Sequence, residues 1–379
     1  MQCDRLNKSK LMITSLDIKN FKSLASCRID NLKRVNLFLG KNNVGKSSLL
    51  EAISLYLSQA SPVWIQTLMR DRGLTLFFSD ANVAERVEFE KHNISSLYTG
   101  RDVKAFEQTA LSVSARYDGI REKSIGIKIE YYIPEVFKHD LDSTLSGSPN
   151  FVSAKEAEKI PIALCGLSVD NGEDKRFFPF DGKGVRLSGK DWDTNFKFVS
   201  SNAFMSDNAE MFDRIAMTDL QQNLISALNI IDSRIRNINF LNDPFSATSS
   251  RVPIVVFEDS NTRYPLRSMG DGMNRLLSII LSMLNCKGGV LLIDEFENGL
   301  HYTTLCRLWQ MIFKLANDLD IQVFATTHSN DCIRSFISAD SNEDGTMMRL
   351  ENRASGVIAI PYIGRDELNY IRDNDVEVR

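Results

Sequence analysis

The segment VNLFLGKNNVGKS, residues 35–47, combines the signals of a strand, a tight glycine loop and a helix start. Residues 35–39 form a short apolar run, which predicts a buried strand, and Gly40 follows it directly. From Ser47 the apolar positions change to helical spacing and form one face, made of Leu49, Leu50, Ile53 and Leu57. The chain therefore passes from strand to loop to helix, as in an α/β fold.

The loop, residues 40–47, fits the pattern G-x-x-x-x-G-K-[ST] in the structural context that this pattern requires. Glycines let the backbone wrap a triphosphate, so that N–H groups and the helix N-terminus face its oxygens. Lys46 is expected to reach the β- and γ-phosphates, and Ser47 to bind Mg²⁺. A nucleotide site is favoured over a glycine-rich turn with a surface lysine, its predicted contacts being Gly40, Asn42, Asn43, Gly45, Lys46, Ser47 and Ser48.

Two further apolar runs end in polar side chains. Residues 290–293 lead into Asp294 and Glu295, and a second run leads into TTHS at 326–329. A strand would deliver Asp294 to the metal, with Glu295 placed to polarise the attacking water. His328, at a neighbouring strand tip, would hydrogen-bond the γ-phosphate or that water. Alone, these residues could be solvated turn carboxylates and a structural histidine; beside the phosphate loop they predict a metal ligand and a catalytic pair.

Composition excludes several classes of protein. The 379 residues are 43% hydrophobic and 25% charged, and at roughly 150 residues per domain they suggest about two domains. The net charge of -4 does not mark a nucleic-acid or membrane binder. No apolar run approaches the ~18–20 residues of a membrane span, and the polar N-terminus does not look like a signal peptide, so we expect a cytoplasmic protein. Scattered Cys and His argue against zinc and disulfides.

The middle of the chain is less regular than its ends. Residues 209–240 predict one long helix, because apolar residues recur at three- and four-residue steps at Leu220, Leu224, Leu228, Ile231, Ile235 and Ile238. Such a helix would pack on the core or form a short coiled-coil contact, and the polar segment 242–250 would end it. Before it, we predict a helix near 82–112, a strand at 125–133 and turns at 141–150, 170–175 and 181–190.

The last third returns to alternating strands and helices. Strands are predicted at 252–257, 289–293 and 321–325, and helices at 273–284 and 303–319. This alternation predicts a mixed, partly parallel sheet flanked by helices, interrupted by a large α+β insertion. The predicted parts are 1–60 and 251–340 for the nucleotide-binding domain, 61–250 for the insertion, and 341–379 for a C-terminal extension with a charged helix and tail.

Five motifs in one order resemble the ABC-type ATPases of the RecF and SMC group. Besides the phosphate loop, they are NFKS at 20–23, SMGDGMNR at 268–275, DEFENGLH at 294–301 and TTHS at 326–329. The chain is most similar to the ATPase half of the OLD-like (overcoming lysogenisation defect) family. The motifs fall within residues 12–57 and 252–337, and the region between is not matched. The resemblance implies an ABC-type P-loop ATPase head that uses ATP and Mg²⁺.

The resemblance also implies a head-to-tail dimer with two ATP molecules between the protomers, or a higher oligomer. Ser268 and Gly270 match the family's signature and would contact the γ-phosphate held by the partner subunit's Lys46. Asn298 and His301 lie where the family has its D-loop. Asp271-Gly272 departs from the Gln or Glu of many relatives, so the role of Asp271 is in doubt. For the Q-loop glutamine, Gln66 and Gln59 are both candidates.

Some expected features are missing. OLD-like nucleases add a TOPRIM domain with a Glu and an Asp-x-Asp, but too few residues follow His328 for one. Two segments match the Asp-x-Asp pattern, and we expect their carboxylates to lie on the surface: Asp191-Trp192-Asp193 and Asp318-Leu319-Asp320. No Asn-Lys-x-Asp motif specifies guanine, which favours ATP over GTP, and the spacing from Ser47 to Ser268 disfavours a transporter subunit.

Three functional hypotheses follow. The first is a sensor or scaffold ATPase of an antiphage defence system that controls a separate effector, such as a TOPRIM-like nuclease. The second is a RecF-like repair factor that holds DNA on a local basic face including Lys19, Lys22, Lys33 and Arg34, with salt-sensitive binding. The third, a structural module with a degenerate ATPase, is disfavoured because Lys46 and the predicted catalytic residues are present.

Overall fold

The computed structural model describes residues 12–74, 82–101, 109–118, 122–133, 150–157, 159, 164–180, 195–201, 208–242, 251–258, 262–354, 356–362 and 364–374. The strands are β1 Ile13–Phe21, β2 Leu24–Ile29, β3 Val35–Leu39, β4 Leu111–Tyr117, β5 Lys123–Ile133, β6 Asn150–Val152, β7 Leu164–Asp170, β8 Lys175–Pro179, β9 Phe196–Val199, β10 Ile235–Asn242, β11 Arg251–Phe257, β12 Arg263–Pro265, β13 Val290–Ile293, β14 Gln322–Thr326, β15 Gly345–Arg353 and β16 Gly356–Pro361. The helices are α1 Lys46–Leu57, α2 Pro62–Arg70, α3 Val83–Ser95, α4 Ala154–Ala157, α5 Asn208–Ile215, α6 Asp219–Leu228, α7 Asp271–Leu284, α8 Tyr302–Asp318, α9 Asn330–Ala339 and α10 Arg365–Asp373.

The central sheet has the strand order β16-β15-β3-β14-β13-β9. The five strands from β15 to β9 are parallel, and β16 adds antiparallel to β15. Every residue of β3 and β14 is buried, as expected for parallel strands covered on both faces. The predicted mixed, partly parallel sheet flanked by helices is confirmed.

Side chains alternate between two hydrophobic cores on opposite faces of this sheet. Leu37 and Val323 belong to the core that includes α7, α8 and α9. Phe38 and Phe324 point the other way, stack at 6.4 Å between ring centroids, and belong to the core around α1. Because successive side chains of a strand point to opposite faces, each of these strands packs into both hydrophobic cores.

A second, antiparallel sheet has the order β2-β1-β4-β5-β7-β8, with β6 paired to β5. It closes over the core around α1, so strands from residues 111–179 share a sheet with the N-terminal strands. Similarly, β15 and β16 from the predicted C-terminal extension lie in the central sheet. The domain boundaries drawn from the sequence remain a prediction. Strands β10, β11 and β12 form a third, small sheet.

The predicted long helix at 209–240 is wrong. Helix α5 ends at Ile215, Met217 takes a left-handed φ of 63°, and α6 starts after Thr218, whose hydroxyl accepts from the N–H of Leu220. Residues 235–242 form β10 instead, and a register shift near Ile235 brings Ile235 and Ile238 to the same buried side. Their three-residue spacing therefore imitates a helix although the backbone is a strand.

The helix predicted near 82–112 is also too long. Helix α3 ends at Ser95, a short 3₁₀ turn follows at 99–101, and β4 begins at Leu111. The strands predicted at 125–133, 252–257, 289–293 and 321–325, and the helices at 273–284 and 303–319, are confirmed to within two residues. The turn at 170–175 is confirmed; residues 141–149, 181–190 and 243–250 lie outside the described residues. Among the helices described, none is long and apolar enough to cross a membrane.

Gly289 gives a test of the central sheet. A Cβ there would lie 1.9 Å from the carbonyl oxygen of Asn195, just before β9. We expect Gly289→Ala to lower the free energy of unfolding by about 1–3 kcal/mol, measured by urea denaturation, because β9 must move away from β13. Gly126→Ala is the control: its Cβ would lie 3.8 Å from the nearest atom, and a change under about 0.5 kcal/mol is expected. Equal effects would contradict the steric argument.

Candidate nucleotide site

The phosphate loop lies at the C-terminal end of β3, where the neighbouring parallel strands also end. Gly40 and Gly45 have φ values of 144° and 106°, which side chains rarely adopt. A Cβ on Gly40 would lie 2.7 Å from the carbonyl oxygen of Leu350, and one on Gly45 would lie 2.7 Å from Ser23 Oγ. Both glycines of the motif are therefore required by the backbone and by its close neighbours.

Lys46 folds back onto its own loop. Its Nζ donates to the carbonyl oxygens of Gly40 at 2.7 Å and Lys41 at 3.0 Å. Burial lowers the pKa of the ammonium, while the carboxylates of Asp294, Glu297 and Glu295 oppose that shift. The two loop carbonyls thus accept hydrogen bonds from the Lys46 ammonium that the oxygens of a bound triphosphate would accept instead.

Asp294 joins the tips of two strands to the phosphate loop. Its Oδ1 accepts from Ser47 Oγ at 3.0 Å and from Thr326 Oγ1 at 2.7 Å. Thr326 Oγ1 also accepts from the backbone N–H of Glu295 at 2.8 Å. The structure therefore brings together the predicted metal ligands Ser47 and Asp294. Thr326 was not predicted as a site residue, although it opens the TTHS motif.

The oxygen atoms of Ser47 and Asp294 fit Mg²⁺. They are hard ligands and stand close to each other beside the phosphate loop, and Mg²⁺ is commonly bound by one or two carboxylates together with phosphates and water. No cluster of three or more His, Cys, Asp or Glu that could hold a metal occurs in the described part of the chain.

Glu295 stands on an unusual backbone. Its φ is 49°, and the carbonyl oxygens of Asp294 and Glu295 both accept from the guanidinium of Arg275, which also donates to the carbonyl of Ser200. Burial lowers the pKa of Arg275, and the carboxylates of Asp294 and Glu295 oppose that shift. Arg275 thus fixes the peptide that carries Glu295. It ends the SMGDGMNR motif but was not predicted as a site residue.

His328 pairs with a carboxylate that was also not predicted. Glu297 Oε1 accepts from the backbone N–H of His328 at 2.9 Å and lies 3.1 Å from its Nδ1. Glu297 is one of the carboxylates that act on Lys46, so His328 and the phosphate loop share this neighbour. The DEFE segment, 294–297, gives a signal for it in the sequence, since a third carboxylate follows two residues after Glu295.

The predicted signature lies on the surface. Ser268 and Gly270 are exposed, and Ser268 Oγ donates to the carbonyl of Pro265 at 2.7 Å. No hydrogen bond among the described residues joins either one to the phosphate loop, and their contact with nucleotide stays a prediction. Packing explains the glycine at position 272, because a Cβ there would lie 2.4 Å from the carbonyl oxygen of Gly299. Glycine at position 272 thus allows α7 to touch the segment predicted to be the D-loop.

The other predicted residues are scattered around this centre. Asn298 donates to the carbonyl of Ser201 at 3.3 Å, and His301 caps α8. Asn42 and Asn43 are exposed in the loop, while Ser48 is buried in α1. Gln59 follows α1 and Gln66 lies in α2, and the Q-loop assignment stays open.

The four residues expected to form a basic face for DNA differ in their exposure. Lys22 is buried and pairs with Glu51 at 2.5 Å, and Arg34 pairs with Asp320 at 3.0 Å. Lys19 pairs with Asp17 at 3.1 Å, and Lys33 donates to a backbone carbonyl. Lys22 and Arg34 are thus largely withdrawn from the surface, while Lys19 and Lys33 are exposed, and a DNA-binding face stays a prediction. Asp318 is exposed, as expected, but the expectation is wrong for Asp320, whose side chain is 8% exposed and pairs with Arg34. Asp191 and Asp193 lie outside the described residues.

Removing Arg275 tests how the Glu295 peptide is held. Arg275→Ala leaves buried carbonyls without their donor, and we expect it to lower the free energy of unfolding by about 2–4 kcal/mol in urea denaturation. Arg307→Ala, which removes an exposed arginine of α8, should cost less than about 0.5 kcal/mol. A similar small loss for both variants would show that the Arg275 contacts contribute little.

Two family models match adjacent parts of the chain. One, "AAA ATPase domain", matches residues 12–180, and the other, "AAA domain, putative AbiEii toxin, Type IV TA system", matches residues 185–332. An "ATP/GTP phosphatase" of Helicobacter pylori is 27% identical over 342 residues, covering 85% of this chain and 86% of its own.

The chain is also similar to solved SMC head domains. That of Thermotoga maritima is 11% identical, with a TM-score of 0.42, over 93% of this chain and 99% of its own. An Smc head bound to the C-terminal domain of ScpA, derived from Pyrococcus furiosus, is 10% identical, with a TM-score of 0.47, over 96% and 99%. From the site geometry and the two domain matches, the chain is an ATPase with an α/β P-loop fold, and two adjacent parts of it are similar to AAA-type ATPase domains.

Proposed function

We propose that this chain is a Mg²⁺-dependent, OLD-like ATPase that closes as a head-to-tail dimer and serves as the sensor or scaffold of a prokaryotic antiphage defence system. The observation that carries the ATPase part is the carboxylate of Asp294, shared by the hydroxyls of Ser47 and Thr326. Ser47 and Asp294 would hold Mg²⁺, which when bound neutralises charge on the β- and γ-phosphate oxygens.

The residues of the chain divide the work of hydrolysis. Lys46 exchanges the carbonyls of Gly40 and Lys41 for phosphate oxygens, and backbone N–H groups of the loop orient the triphosphate. Glu295 accepts a proton from the attacking water, and Arg275 keeps its peptide in place. His328 hydrogen-bonds the γ-phosphate or that water.

Two substitutions separate binding from chemistry. Lys46→Ala should weaken binding of a fluorescent ATP analogue strongly, because the loop loses its cation. Glu295→Gln should keep that affinity and lower kcat at least about 100-fold, because the amide cannot take the proton. Lys41→Ala is the matched control, an exposed lysine of the same loop that should stay within about threefold of wild type. Unchanged turnover in Glu295→Gln would remove this residue from the chemistry.

The dimer is proposed from the exposure of the signature. Ser268 and Gly270 are accessible at the start of α7, as a surface must be if a second copy is to reach its nucleotide. Arg275 lies on the same helix and holds the Glu295 peptide, so α7 connects this surface to the predicted catalytic carboxylate. Closure of the dimer would therefore act directly on the catalytic centre.

The defence role rests on the family description and on what the chain lacks. One matching model is described by a putative toxin and a type IV toxin–antitoxin system. The sequence motifs of a TOPRIM nuclease are not recognised in this chain, so a separate effector is proposed to act with it. ATP would close the dimer, and hydrolysis would reset or release the effector.

Affinity purification tests the partner. Tagged Glu295→Gln protein, co-expressed with its native gene neighbours and purified with ATP and Mg²⁺, should appear as a dimer in native mass spectrometry with a stoichiometric nuclease or toxin. Ser268→Arg, combined with Glu295→Gln, should bind ATP but stay monomeric, because the bulky cation blocks the signature surface. A partner-free dimer that carries DNA would support the RecF-like alternative and reject the effector hypothesis.

A further inference from the structure

Glu297 and His328 form a pair at the edge of the nucleotide site. Oε1 of Glu297 contacts both the backbone N–H of His328 and its Nδ1, at 2.9 and 3.1 Å. The Glu297 side chain is 11% exposed, whereas the imidazole is 46% exposed. A mostly buried carboxylate therefore holds one edge of a ring whose other edge faces outward.

The backbone that carries Glu297 is firmly held. The preceding Phe296 is fully buried and stacks on Trp309 of α8, with ring centroids 3.9 Å apart. The N–H of Phe296 donates to the carbonyl of Thr326, and the carbonyl of Glu297 accepts from the N–H of Leu300. These contacts restrict the backbone at Glu297, so its carboxylate keeps a fixed position beside the imidazole ring.

The partner strand is fixed as well. The N–H of Thr327 donates to the carbonyl of Phe38 at the end of β3, and Ser329 caps α9 through the N–H of Cys332. His328 lies between these two anchors. The imidazole is thus the free-turning part of the pair, and the contact with Oε1 is what selects its orientation.

We propose that Glu297 is a positioning residue that acts through His328: it accepts the Nδ1–H of the imidazole and so presents Nε2 to the nucleotide. The inference rests on the proposed role of His328 in hydrolysis. A hydrogen bond at one ring nitrogen determines which tautomer is present and which atom the other nitrogen offers. No hydrogen bond to Nε2 occurs in the described part of the chain, which leaves that atom available.

The second carboxylate oxygen of Glu297 lowers the stability of the fold, which argues against a purely structural role for this side chain. Oε2 is buried and has no hydrogen-bond partner among the described residues, and an unpaired buried carboxylate oxygen is unfavourable. The retained carboxylate also acts on Lys46, which gives the competing explanation that Glu297 serves the phosphate loop.

A double-mutant cycle separates these routes. Glu297→Ala, His328→Ala and the double variant are compared with wild type for kcat, KM and affinity for an ATP analogue. We expect Glu297→Ala to lower kcat about 10- to 100-fold at unchanged affinity, the size of effect that removal of a ring-orienting partner commonly has. In the His328→Ala background the same change should have no further effect, since the ring through which it acts is gone.

The conservative variant and an NMR experiment test the orientation itself. Glu297→Gln keeps an oxygen that can accept from Nδ1–H, so it should recover most of the lost kcat. In protein labelled with ¹⁵N-histidine, the His328 resonances, assigned by their loss in His328→Ala, should show the proton on Nδ1 in wild type. In Glu297→Ala they should show mixed tautomers. Asp318→Asn, an exposed carboxylate at the end of α8, is the control and should match wild type.

Other results would overturn the inference. A kcat of Glu297→Ala equal to wild type, or an equal loss in the His328→Ala background, would show that Glu297 does not act through the imidazole. Weaker ATP binding with unchanged kcat would assign it to Lys46 instead. If His328→Ala itself keeps wild-type turnover, the proposed role of the histidine fails; if only the Glu297 variants do, that role stands and the positioning role alone is lost.

Discussion

The carboxylate of Asp294 accepts hydrogen bonds from two hydroxyls that come from opposite parts of the chain. Ser47 lies in the first turn of α1, at the end of the phosphate loop, and Thr326 ends β14, the strand between β3 and β13. Parallel strands end at one edge of the sheet, so three separate segments meet there without any loop having to fold over them. The nucleotide site depends on this meeting, because neither the loop nor the carboxylate would have a partner without it.

Around this edge, the same elements serve the core and the site. The strands alternate side chains into two hydrophobic layers, and residues at or just after their C-terminal ends supply the polar groups. Arg275 extends the arrangement to α7: its buried guanidinium satisfies backbone carbonyls of the Asp294-Glu295 turn, where regular strand hydrogen bonding has ended. Buried charge of this kind is unfavourable unless its donors are used; here three carbonyls accept from the two terminal nitrogens, while Nε has no partner among the described residues.

The sequence was sufficient for the elements whose signals are local. The phosphate loop, the strand before Asp294 and the alternation of the last third follow from spacing within a few residues, and the structure has them nearly where expected. The helix predicted at 209–240 failed because a register shift in β10 gave isoleucines a helical spacing. Thr326, Arg275 and Glu297 were missed because their importance lies in what they contact, and those partners are distant in sequence. The ion pairs of Lys22 and Arg34 were missed for the same reason, since folding brings their partner carboxylates close.

The position of β3 has a consequence for how this protein is made. In the central sheet, the described strand partners of residues 35–39 are residues 323–326 and 345–349, so the strand that leads into the phosphate loop lacks both neighbours until residue 349 has been synthesised. At roughly 5–20 residues per second, that delay lasts on the order of 15–60 seconds. The antiparallel sheet, built from residues 13–179, can assemble first and shelter the apolar face of α1. Nucleotide binding is therefore a late event in synthesis, and a truncated chain would hold the motif without the fold that makes it work.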